Sequence, residues 1–238
     1  MDRDDLDRFL FAPDDIVVIV GRDGLVPNVA KYLHGQVTIG INSDPERYDG
    51  VLCAQSPDVM AKLLDWLEQG EGRGYQIQQR TMAVAEREDG QRLLAVNEIF
   101  VGHRSHQSAR YRLKVGYREE RQSSSGVICS TGTGSTGWAR SISEQRRIKA
   151  PLPGPLQPRI AWFVREPFPS VYTGAELDFG FLNKGNQIAL FSEMGEGGVI
   201  FADGIESDSL EFLDGHSVRI TVADETLHLL MPFEGDVQ

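Results

Sequence analysis

Ile16-Val17-Val18-Ile19-Val20-Gly21-Arg22-Asp23-Gly24-Leu25 is the stretch on which the fold turns. Five consecutive β-branched residues predict a strand, and an unbroken apolar run predicts one covered on both faces, as in a parallel sheet. The strand ends at once in a glycine-bearing turn. Residues 26–33 then carry a helical pattern that Gly35 closes. Residues 37–41 read as a second strand, leading into Asn42-Ser43-Asp44-Pro45-Glu46-Arg47. Strand, turn, helix, strand is one right-handed βαβ unit. Ligands of open α/β sheets collect beyond the carboxyl ends of the strands, where both polar turns fall.

On either side of this unit the pattern changes. Residues 2–11 predict a short amphipathic helix carrying Leu6, Phe9 and Leu10 on one side, broken at Pro13. Downstream, Ser56 is placed to cap a helix from Pro57 to about Glu68. Gly70-Glu71-Gly72-Arg73-Gly74 reads as a boundary, giving an α/β domain over 1–72 and a second domain over 73–238. The second domain predicts short strands at 75–85, 92–101, 110–117, 126–129, 160–165, 187–191, 199–202, 217–222 and 226–230. Glu88-Asp89-Gly90 and Ala223-Asp224-Glu225 read as hairpin turns between them. The fold class expected is α/β plus all-β: a short Rossmann-like α/β domain, reduced or truncated at its start, followed by a β-sandwich.

A net charge of −11 argues against a nucleic-acid partner, which a basic face would announce. Two cysteines, Cys53 and Cys129, are too few for a disulfide framework or a cysteine zinc site. The acidic N-terminus lacks a secretory signal, and no apolar run reaches ~20 residues, so neither export nor a membrane partner is expected. A cytoplasmic setting is the expectation. The five histidines show no metal-ligand spacing, and no metal ligands are assigned from the sequence.

Four segments carry candidate chemistry. In Gly21-Arg22-Asp23-Gly24, glycines let the backbone approach a ligand and a carboxylate can bind Mg²⁺ or accept a proton. The plain alternative is a tight turn capped by Asp23. Asn97-Glu98 interrupts an apolar stretch, and an amide beside a carboxylate suits the two hydroxyls of a ribose; a polar strand edge reads equally well. Residues 123–138, SSSGVICSTGTGSTGW, offer hydroxyls and open backbone N–H groups for the polar edges of a nucleotide. A flexible linker shares that composition. Asp203-Gly204 alone reads as a turn. Arg104, Arg110 and Arg112 form a local basic group, read as solvated surface or as a phosphate contact.

In this order the segments resemble the NAD kinase family, within the wider group of diacylglycerol and sphingosine kinases. Gly21-Arg22-Asp23-Gly24-Leu25 resembles its Gly-Gly-Asp-Gly-Thr motif, Asn97-Glu98 its Asn-Glu/Asp motif, residues 126–138 its Ser/Thr/Gly loop, and Asp203-Gly204 its later Asp-Gly element. The flavour of residues 42–47 and 124–135 is nearest to the mitochondrial type and its bacterial relatives. The match spans roughly 16–230.

The resemblance implies two domains with the site in the cleft between them, and transfer of a phosphoryl group from ATP or polyphosphate to the 2′-hydroxyl of NAD, giving NADP. Asp23 would be the catalytic carboxylate; Arg22, which departs from the family motif, either crowds the turn with its Cβ or offers its guanidinium to bind phosphate. Gly21, Gly24, Asn42, Asn97, Glu98, Ser130, Thr131, Thr133, Gly134, Ser135, Thr136 and Asp203 would line the nucleotide pocket. Mg²⁺, ATP and NAD, and a homo-oligomer, are implied likewise. Two departures alter the first motif: Arg22 replaces a glycine and Leu25 a threonine. A non-catalytic nucleotide binder of the same fold, or a related sugar or lipid kinase, is the alternative.

Overall fold

The β-branched run forms β1 (Ile16–Gly21), followed by α1 (Leu25–Ala30) and β2 (Val37–Asn42). Strands β1 and β2 pair in parallel from Ile16↔Val37 to Gly21↔Asn42, so the two polar turns leave from neighbouring carboxyl ends. The computed structural model describes residues 10–69 and 74–232. The helix expected over 2–11 and most of the 70–74 boundary lie outside them.

These elements belong to the first of two units, which takes the chain to Arg80 and again from Glu225. A 3-10 turn at Pro57–Val59 opens into α2 (Met60–Gln69), and the end of β14 (Ser217–Pro232) lies parallel to β2 at His228↔Val37. Ile39, Ile41, Leu63 and Leu230 form the unit's buried cluster, with Val59, Met60 and Leu67 packed against it.

Three expectations are corrected here. Strand β1 is not covered on both faces: Val17 and Ile19 are buried, but Ile16, Val18 and Val20 are 42%, 39% and 60% exposed. It ends the strand order, and β-branching suits a pleated strand whether or not its second face is packed. Helix α1 stops at Ala30, three residues short, and Gly35 closes the turn beyond it at φ +100°. Ser56 makes no side-chain cap; Pro57, with its preset φ, starts the 3-10 turn instead.

The second unit, Thr81–Asp224, is a sandwich of antiparallel strands. In one layer β3 (Tyr75–Arg87) and β4 (Arg92–Ala95) form the expected hairpin around Glu88-Asp89-Gly90. In the same layer β6 (Ala109–Val115) lies between β7 (Arg118–Ser124) and β11 (Gln187–Ser192), and β11 pairs with the start of β14. The other layer runs β10 (Phe179–Asn183), β9 (Arg159–Val164), β8 (Val127–Ser130), β5 (Glu98–His103), β12 (Gly198–Ala202) and β13 (Ser209–Glu211). Alternate residues of both layers fill the core, among them Ile99, Val101, Tyr111, Leu113, Ile188 and Ile220. Outside it, α3 (Trp138–Gln145) presents Ile142 to Phe100, Ile128 and Phe201.

The span expected as one strand over 92–101 is two, broken at Val96-Asn97. The spans 217–222 and 226–230 are one strand, and Ala223-Asp224-Glu225 is not a hairpin. Ala223 is buried in line with Val222, so the chain runs straight through. The sequence reading does not predict β7, β10 or β13: β7 and β13 carry few apolar residues, and β10 alternates Phe179 and Phe181 over only five residues. The chain changes unit inside β3 and inside β14, whereas the sequence suggests a single division at 72/73.

Candidate functional site

In the sandwich unit the geometry centres on Asp203, in the turn after β12. Asp203 holds φ +53°, a left-handed conformation that short polar side chains tolerate best after glycine. Its Oδ2 accepts the Val96 N–H at 3.0 Å, and Oδ1 accepts the N–H groups of Asn97 at 2.6 Å and Glu98 at 3.2 Å. Its own N–H donates to the Glu98 carbonyl at 2.9 Å. The residue that reads as a mere turn in the sequence thus fixes the break that presents Asn97 and Glu98.

The Ser/Thr/Gly loop locks onto the same break. Thr131 donates its hydroxyl to the Val96 carbonyl at 2.5 Å and its N–H to the Asn97 carbonyl at 2.8 Å. The same Oγ1 accepts the N–H groups of Thr133 and Gly134. At Gly134 a Cβ would fall inside the van der Waals radius of the Asn97 carbonyl. Ser130 and Ser135 donate to the Thr131 carbonyl and Thr136 to the Thr133 carbonyl. The hydroxyls expected to face a ligand are therefore spent largely on the loop itself. Thr133 Oγ1 is the exception within the loop: it is buried, with no partner among the described residues.

Burial, then the charge of Asp203, pushes the Glu98 carboxyl up to about 7. At neutral pH it both donates and accepts, a useful state for a hydroxylated ligand. Two residues further along β5, Phe100 borders a cavity of about 310 Å³ together with Trp138, Phe201 and Arg104. Phe100 stacks on Phe201 with centroids 4.7 Å apart and lies 6.1 Å from Trp138. The sequence reading missed this aromatic wall; its signal was a Phe two residues past Asn97-Glu98, on the same strand face as Glu98. Arg112 does not join Arg104: it pairs with Glu119 at 2.9 Å and approaches Glu193 at 3.8 Å.

In the α/β unit, Asp23 does for the 51–53 loop what Asp203 does for 96–98. Oδ2 accepts the Val51 N–H at 2.8 Å, and Oδ1 accepts those of Leu52 at 2.9 Å and Cys53 at 2.8 Å. It is not a helix cap; Gly24 occupies that position without a side-chain bond. Gly40 has no room for a Cβ because the Leu52 carbonyl lies against it, which brings the 51–53 loop over β2. No side-chain pattern signals such a loop. Asn42 is buried and binds its own turn, donating to the Tyr48 carbonyl and accepting from the Asp44 N–H. Gly21 likewise accepts the Ser43 N–H at 3.3 Å. The Arg22 guanidinium stacks 4.2 Å from the Tyr48 ring centroid. Among the described residues no group of three or more His, Cys, Asp or Glu could hold a metal ion, and no helix is long and apolar enough to cross a membrane.

This combination of parallel α/β unit and antiparallel sandwich is the NAD kinase fold. The chain superposes on yeast NADH kinase complexed with NADH with a TM-score of 0.71 at 17% identity, covering 93% of this chain and 63% of that one. An NAD kinase from Archaeoglobus fulgidus in complex with ATP gives a TM-score of 0.68 at 22% identity, covering 97% and 81%. The chain thus spans less than two thirds of the yeast enzyme. No protein-family model matches the sequence, and no curated protein matches it.

Proposed function

We propose that this protein is an NAD kinase-like phosphotransferase, carrying a phosphoryl group from ATP or another donor to the 2′-hydroxyl of NAD to give NADP. The observation that carries the reading is the Asp203 clamp, which holds Asn97, Glu98 and the Thr131 loop as one constellation. Asn97 and Glu98 would take the ribose hydroxyls, and the Phe100–Trp138 cavity a flat base. The ligands named for the two similar structures, NADH and ATP, support the same reading.

In the reaction the 2′-oxygen bonds to the γ-phosphorus as the bond from phosphorus to the bridging oxygen breaks, releasing ADP. Asp23 receives the hydroxyl's hydrogen bond as the proton leaves. Oδ2 carries a single N–H and keeps an acceptor position for it. Little covalent work is needed, since phosphoryl transfer depends mainly on positioning and charge neutralisation. Among the described residues no cluster of metal-ligating side chains builds a cage, so Mg²⁺ is read as entering with the donor's phosphates. A homo-oligomer and a cytoplasmic setting complete the reading.

The second reading, a nucleotide binder without transfer, is favoured by one observation: every hydrogen bond to the Asp23 carboxylate comes from backbone N–H groups of the 51–53 loop. NADP formation from NAD and ATP–Mg²⁺, with Asp23→Asn as the control, separates the two. NADP from the wild type and a large loss in the variant is expected. Saturable NAD binding without NADP from ATP or polyphosphate would leave only the binder.

A further inference from the structure

One face of the β1–β2 pair is only half covered. Ile16, Val18 and Val20 stand beside Val37, Ile39 and Ile41 in the parallel register. The β2 residues belong to the cluster that α2 closes with Met60, Leu63 and Leu67, whereas the three β1 residues on that face stay exposed. Strand β1 is also open along its outer edge: among the described residues only β2 pairs with it. A β-branched strand with an exposed apolar face and a free edge is a template for another strand.

The backbone determines which residues can use that edge. Gly21 turns its carbonyl toward β2, where it accepts the Ser43 N–H at 3.3 Å. In a strand the N–H and C=O of one residue point to one side and those of the next residue to the other. Ile16, Val18 and Val20 therefore present theirs to the free edge. An antiparallel partner that sets Val18 opposite its own Val18 pairs all of these outward groups, with Ile16 opposite Val20 at both ends. The same register carries a charge match. Asp14 lies two residues before Ile16 and Arg22 two residues after Val20; both are exposed, and neither forms an ion pair among the described residues. Arg22 stacks on Tyr48, a contact that leaves its charge without a counter-charge. Two copies in this register bring Asp14 of each opposite Arg22 of the other.

We infer that β1 is a self-association edge: two copies of this chain pair antiparallel through Ile16, Val18 and Val20 about a two-fold axis at Val18. Such a contact is isologous and uses up both free edges, so it closes at two copies instead of growing into a fibre. Main-chain bonds and the contact of Ile16 with Val20 of the second copy supply the affinity. The two Asp14–Arg22 pairs set the register more than the strength. An edge contact of this size makes a weak dimer. The inference is independent of the kinase reading, since it uses no residue of the Asp203 constellation and needs no transfer.

The test is sedimentation velocity on the full chain from about 1 µM to about 0.3 mM, the range in which weak contacts associate. Circular dichroism and thermal melting show that each variant folds. Wild type is expected to associate reversibly. Val18→Lys sets two ammonium groups against each other on the axis and is expected to raise the dissociation constant by about tenfold or more. Should it not fold, Val20→Lys carries the test at a more exposed position. Asp14→Arg and Arg22→Asp are each expected to weaken association several-fold, because each sets like charges opposite one another, and the two together to restore it. The inference is overturned if wild type stays monomeric throughout, whether solvent or the chain's own residues 1–9 hold the edge. It is overturned equally if both lysine variants associate like wild type, as they would through an interface elsewhere, or if the double exchange fails to restore association.

Discussion

Two aspartates, Asp23 and Asp203, solve the same local problem in different units. Each precedes a glycine, and each carboxylate gathers three consecutive backbone N–H groups that would otherwise lack an acceptor. Removing one leaves three donors unmatched, so Asp203→Ala is expected to cost about 2–4 kcal/mol in urea denaturation, and Asp203→Asn less because one acceptor oxygen survives. Glu98 makes the second residue-scale prediction. Its folded pKa of about 7 lies above the ordinary 4.5, so the folded state binds the proton more tightly. Its contribution is complete below about pH 4.5 and is lost as pH rises through 7. Urea midpoints should therefore fall across that window in wild type, with the fall reduced in Glu98→Gln; an equal slope in both would refute the assignment.

At the scale of elements, the loop after β8 is a brace rather than a row of free hydroxyls. Thr131 bridges Val96, Asn97, Thr133 and Gly134, and Gly134 is where the loop backbone meets the Asn97 carbonyl. Gly134→Ala is expected to displace the Asn97-Glu98 pair, lowering stability by roughly 1–3 kcal/mol and weakening NAD binding by calorimetry. Gly195→Ala, whose Cβ meets nothing within 4 Å, should leave both unchanged. Thr131→Val keeps the shape but strands two N–H donors, and should lower the urea midpoint without unfolding the sandwich.

At the scale of the molecule, a net charge of −11 sets the long-range field. Any anion would therefore have to be captured by local groups against that field rather than steered in from a distance. Duplex DNA at about 0.1 M salt should not retard the protein in a mobility assay, because a net charge of −11 opposes association with the phosphate backbone. Division into units follows packing and not chain order: β3 and β14 each begin in one unit and end in the other.

Much of this was legible in one dimension. The βαβ unit is readable because β-branched runs and glycine turns act through neighbours in sequence, and β1, β2 and most sandwich strands lie where periodicity puts them. The segments Gly21–Gly24, Asn97-Glu98 and 126–138 could be chosen from residue chemistry; Asp203-Gly204 stood out only through the resemblance. Their connections could not be read this way. That Asp203 grips 96–98, that Asp23 grips 51–53, and that Arg80 Nε is buried with no partner among the described residues depend on partners about 30 to 107 residues away or on burial itself. Backbone donors carry no side-chain signature, and the exposed face of β1 shows that an apolar run does not declare what will cover it. Residue type determined which groups were capable of chemistry; tertiary packing decided which remained free to perform it.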